Sequence, residues 1–140
     1  MEQRVVQAQI PKTFVEDHLR LDKAVDRFVE SAKAVIKARS EQGKVMRRIL
    51  REKGLTKEFR KIQKELRGYR VSDIIFSNSK KLRQLYKRKI EILKEVRDEK
   101  DYQVAHQALL EAQRAKRDSE KTLIKEYELS IKPKYQHLYQ

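Results

Sequence analysis

The sequence contains no cysteine and no tryptophan, only two prolines, and only three glycines. Without cysteine, disulfides, thiolate zinc sites and cysteine nucleophiles are excluded. Long apolar runs are missing as well: the longest strongly apolar stretch is Ile74-Ile75-Phe76, far short of the roughly 20 residues that cross a bilayer. No integral membrane segment is therefore expected, and the opening MEQRVVQAQIPK lacks the apolar core of a signal peptide. The glycines Gly43, Gly54 and Gly68 stand apart with no strand pattern before them, so no phosphate-cradling loop is present. His18, His106 and His137 fall in three separate segments, and none has a histidine at the three- or four-residue spacing that builds a metal face. The carboxylates Glu16, Asp17, Asp22 and Asp26 on the first helix read as ordinary solvated charge patterning. Neither catalysis nor a metal or other cofactor is expected.

What the sequence has in excess is positive charge. Charged residues make up 40% of the 140, against roughly 25% in an ordinary globular chain, which implies one domain with a thin core. The net charge is +14, and it is unevenly placed: residues 1–40 hold 8 basic and 6 acidic side chains, residues 41–97 hold 19 and 7, and residues 98–140 hold 8 and 8. A heat-adapted surface normally balances Lys against Glu, and that balance holds at both ends of the chain and fails in its centre. Self-repulsion at this density favours a polyanionic partner.

The two prolines, Pro11 and Pro133, mark off an N-terminal arm at 1–12 and a C-terminal tail at 132–140, and residues 13–131 read as one all-helical domain. Thr13 and Glu16 have capping-box spacing, and Phe14, Leu21, Val25, Phe28, Ala32, Val35 and Ile36 then recur at three- and four-residue steps. These predict an amphipathic helix of about 28 residues, roughly 42 Å long, stopping at Gly43. Two short basic helices follow, Lys44 to Lys53 and, after Gly54, one with Thr56 as N-cap. VSDIIFSNS supplies turn and cap chemistry through Ser72, Asp73, Ser77, Asn78 and Ser79. A long pattern begins near Lys80, breaks or kinks at Arg97–Asp101, and continues to about Ile131 with the small-residue stripe Ala105, Ala108, Ala112, Ala115 and Ser119, which suits close helix packing. No strand pattern or internal repeat is evident. The expected class is all-α: an elongated helical bundle with long amphipathic helices and two short basic helices. Tyr135 and Tyr139 in the tail are expected to dock on a neighbouring subunit if the tail is ordered.

The basic centre is segregated by face. Val45, Met46, Ile49 and Leu50 gather on one side of the first short helix, with Lys44, Arg47, Arg48 and Arg51 on the other. On the next, Phe59, Ile62 and Leu66 oppose Lys57, Arg60, Lys61, Lys64 and Arg67, while Glu58 and Glu65 lie at one flank. Arg70 follows at the turn, and Lys80, Arg83, Lys87 and Lys94 occupy the polar half of the next long helix. Cations on successive helix faces match phosphates along a nucleic-acid backbone and release condensed counterions. Sequence-specific reading is less supported: no zinc finger, no helix-turn-helix and no aromatic stacking platform is evident. These fourteen residues are the candidate nucleic-acid contacts, with double-stranded DNA the expected partner and RNA the alternative. A basic helix also fits an anionic membrane surface or an acidic protein, but these apolar faces are narrow and are needed for packing.

A cysteine-free, all-helical chain with the basic segments KVMRRILREK and TKEFRKIQKELR in its middle and a neutral packing segment after them resembles the coat proteins of filamentous archaeal viruses. The resemblance is one of plan, covering roughly Thr13 to Ile131. It implies a subunit of a virion that assembles with other copies of itself or a related coat protein and wraps its helices around linear double-stranded DNA held in an A-like form. A second resemblance, to the small helical subunits of type III CRISPR complexes, implies a cytoplasmic RNA-binding role, as does a ribosome-associated protein. A helical adaptor for an acidic protein is the reading from a different class.

Overall fold

A computed structural model of the chain describes residues 13–135 and 137. Among these the fold is all-α, a helical bundle without strands, as the periodicity predicts. The elements are α1 (Phe14–Glu52), α2 (Thr56–Leu66), α3 (Val71–Ile75), α4 (Lys80–Arg97), α5 (Lys100–Glu126), a π-helical turn (Tyr127–Ile131) and α6 (Lys132–Tyr135). The arm at 1–12 and Tyr139 lie outside the described residues. Two compact units emerge: the described parts of Met1–Lys37 and Leu110–Gln140 form one, and Ala38–Leu109 forms the other. Both boundaries fall inside unbroken helices, where composition offers no cue.

The first helix does not stop at Gly43. It runs 39 residues to Glu52, so the first expected short basic helix is roughly its final two and a half turns. The true stop is Gly54, whose φ of 68° is the left-handed conformation that glycine adopts without penalty. There Leu55 N–H donates to the Leu50 carbonyl at 2.8 Å and Gly54 N–H to that of Arg51 at 3.1 Å. This pair of bonds is a Schellman motif, with the Leu55 and Leu50 side chains at the positions of its apolar contact. Gly43 has no positive φ.

In the unit Ala38–Leu109, Ile49 and Leu50 from α1, Phe59, Ile62 and Leu66 from α2, Ile74 from α3, and Ile92 and Val96 from α4 form one buried cluster, with Val45, Met46, Leu82, Leu85, Tyr86 and Tyr102 against it. The predicted stripes of the basic helices are thus its walls. At the starts of α3 and α4 the expected cap chemistry is present: Asp73 accepts from Arg70 N–H at 3.2 Å and Ser79 Oγ from Leu82 N–H at 3.4 Å. Thr56 is not the N-cap of α2; Leu55 holds that position. The break at Asp98–Glu99 separates α4 from α5, and Gln103 Nε2 donates to the exposed Arg97 carbonyl at 3.0 Å.

The other unit pairs the first part of α1 with the second part of α5 and the segment after it. Ala24, Val35, Ile131, Tyr135 and Asp17 are buried here, and Ala24, Arg27, Asp118, Ser119 and Thr122 line a shallow groove where small residues meet. Val25 and Ile36, expected in the buried stripe, are exposed instead; the buried face is rotated toward Asp17 and Ala24. Tyr135 likewise departs from expectation. Its ring packs inside its own chain, edge-on to Phe14 at 5.1 Å between centroids and 5.3 Å from His18. Its hydroxyl donates to Asp17 Oδ2 at 2.5 Å and lies 2.8 Å from Thr13 Oγ1. Asp17 is therefore no solvated carboxylate: Lys134 Nζ at 3.4 Å and Arg20 also reach it, and the Tyr135 hydrogen bond foremost holds its carboxyl below the ordinary range. Burial, reinforced by that carboxylate, pushes the Tyr135 hydroxyl up. The π-helical turn precedes Pro133, which has no N–H and whose ring would clash with the carbonyl four residues back in a regular helix; Lys132 N–H donates five residues back to Tyr127.

Candidate nucleic-acid interface

All fourteen candidate cations lie in the unit Ala38–Leu109, and every one is exposed. Their carboxylate neighbours divide them. On α2, Glu58 and Glu65 turn toward α4. Arg88 forks onto Glu58, with Nε at 2.5 Å and Nη2 at 3.2 Å, and Lys81 approaches Glu65 at 4.0 Å. The Arg88 hydrogen bond, the larger cause, holds the Glu58 carboxyl below its usual range, and the same bond raises the guanidinium. With its acids facing α4 and Phe59, Ile62 and Leu66 buried, α2 leaves Lys57, Arg60, Lys61, Lys64 and Arg67 on the outside. None of these five forms an ion pair among the described residues.

The α1 cations do not act as one face. Arg48 donates to Asp101 Oδ2 at 2.6 Å and lies 3.6 Å from Glu52, so its side chain ties α1 to α5. Lys53, just past α1, makes a parallel tie to Glu99 at 2.9 Å, and that carboxylate raises the ammonium's pKa. Lys44 pairs with Glu41 at 3.4 Å on its own helix. Arg47 and Arg51 have no acidic partner among the described residues, and with Arg60 of α2 they line a groove of about 450 Å³ that Gly43, Met46, Leu50, Thr56 and Phe59 also line. On α4, Lys80, Arg83 and Lys87 share one shallow depression with Gln84. Arg70 caps α3, and Lys94 stands on the polar side of α4.

Sequence reasoning missed the groove because it assigned Gly43 to a helix end and Thr56 to a cap. Gly43 and Gly54 interrupt the amphipathic pattern in the same way, so spacing alone carries no signal that separates a glycine inside a helix from one that ends it. Among the described residues no group of three or more His, Asp or Glu side chains gathers that could hold a metal ion, and no helix is long and apolar enough to cross a membrane. Comparison of the chain with protein-family models, with curated proteins and with solved structures returns no match.

Proposed function

We propose that this is a non-enzymatic structural protein that packages double-stranded DNA through the cationic surface of α1, α2 and α4, as a coat subunit of a filamentous virion. The observation that carries the reading is on α2. Its two carboxylates pair with α4, while its five outward cations have no acid among the described residues to neutralise them. A merely solvated helix mixes both signs around its exposed face. Here the polar surface divides by sign, and the unneutralised side suits a chain of phosphates. Arginine at positions 47, 51, 60 and 67 adds the planar fork that matches phosphate oxygens. Assembly with other copies is supported by Val25, Val29 and Ile36, which leave an exposed apolar strip along α1 at 39%, 42% and 67% exposure.

The test is binding to linear duplexes of increasing length across a salt series, followed by electron microscopy of the mixture. Sequence-blind binding proportional to length, a log–log salt slope near −0.9 per phosphate neutralised, and nucleoprotein filaments are the expected results. A flat salt dependence overturns the reading in favour of an acidic protein partner, and preference for RNA with no filaments overturns it in favour of a ribonucleoprotein subunit.

A further inference from the structure

The groove between α1 and α2 differs from the rest of the basic surface in three respects. It is concave and is rimmed by three arginines, Arg47, Arg51 and Arg60, that have no acidic partner among the described residues. Its wall holds Thr56 Oγ1, a buried hydroxyl without a hydrogen-bond partner among the described residues, and an unsatisfied buried polar atom requires an explanation. Gly43 sits where α1 is continuous, and a methyl group there would lie 3.3 Å from Arg47 Nη1. The glycine lets that guanidinium lie back along the helix, at the expense of intrinsic helix propensity. The floor of Met46, Leu50 and Phe59 is apolar, which suits a sugar face better than a bare inorganic anion.

We propose that this groove anchors one phosphate–deoxyribose unit of a bound DNA strand, with Arg47, Arg51 and Arg60 on the phosphate, Thr56 Oγ1, brought out of its buried position by a χ1 rotation, on a sugar oxygen, and the apolar floor against the deoxyribose ring. The proposal rests on the reading that the surrounding surface binds DNA. It adds that this surface is not uniform: the outer lysines of α2 supply diffuse attraction, and the groove fixes where the strand sits. Thr56 begins α2, where main-chain N–H groups lack intrahelical partners and the helix dipole favours the phosphate that the arginines hold beside it.

The experiment compares the full chain with Gly43→Leu, which fills the groove without removing a charge, Thr56→Val, which removes only the hydroxyl, and Lys64→Ala on the outer face. Each is titrated with a fluorescent duplex over a salt series. Gly43→Leu is expected to weaken binding by about tenfold, consistent with loss of a charge-assisted contact, while melting at or above the temperature of the unaltered chain. Thr56→Val is expected to weaken binding with an unchanged salt slope, and Lys64→Ala to reduce the slope. Duplex affinity that is the same in Gly43→Leu and Thr56→Val as in the unaltered chain overturns the anchor and leaves the basic surface standing. Absence of duplex binding by the unaltered chain overturns both. Thr56→Val keeps the anchor testable if Gly43→Leu does not fold.

Discussion

Tyr135 donates its hydroxyl to Asp17 across 118 positions of sequence, at 2.5 Å. Asp17 is almost wholly buried, and the tyrosine bond is the largest influence holding its carboxyl below the usual range, aided by Lys134 and Arg20. Its folded pKa therefore lies below its unfolded value. The stabilisation is present above the unfolded carboxylate range and is lost as pH falls through the folded value. Thermal melts down an acid series are expected to show a steep decline that flattens in Asp17→Asn. Tyr135→Phe is expected to lower the melting temperature at neutral pH, because a buried carboxylate then loses its closest donor.

The two helix glycines are expected to respond in opposite directions. Gly43 lies inside α1, so Gly43→Ala is expected to raise stability by about 0.5–1 kcal/mol through helix propensity, with Arg47 displaced by a few tenths of an ångström. Gly54 holds φ at 68° with open space around it, and Gly54→Ala is expected to cost about 1 kcal/mol from backbone strain alone. Denaturant melts of both variants check the pair.

Arg48 and Arg51 stand one helical turn apart on α1 and are expected to separate stability from binding. Arg51→Glu changes a groove arginine that has no acidic partner among the described residues, so the fold should be retained while duplex affinity and the salt slope both fall. Arg48→Glu sets a carboxylate against Asp101 in place of the 2.6 Å pair, so its first effect should be a lower melting temperature. Circular dichroism melts and duplex titrations, run in parallel, check the division.

The core between the basic helices is expected to be necessary for their presentation. Ile92 is fully buried in the cluster that α1, α2, α3 and α4 share, and Ile92→Ala is expected to destabilise by about 2–5 kcal/mol through lost transfer energy and the cavity left behind. Loss of duplex binding in that variant should follow the unfolding curve, which parallel measurements by fluorescence and circular dichroism establish.

Helix content and the inward stripes of the basic segments were legible because they depend on spacing. Phe59, Ile62 and Leu66 lie three and four residues apart, and that spacing alone places them on one side of a helix. Which glycine ends α1 was not legible: Gly43 and Gly54 both follow amphipathic segments, and only the folded backbone, with the positive φ of Gly54 and the Leu55 to Leu50 hydrogen bond, marks the second as the stop. The division of the cations was equally hidden. Arg47 and Arg48 are neighbours in sequence, yet one lines a groove with α2 and the other pairs with Asp101, 53 residues on.

By itself the sequence determined an all-helical chain whose positive charge is concentrated between residues 41 and 97, because helical periodicity and charge are local properties. Only the tertiary structure decided which cations are neutralised, where a groove opens, and that Asp17 is buried. Each of those outcomes depends on the field and packing of side chains brought close from distant positions, and spacing along a single helix carries no information about them.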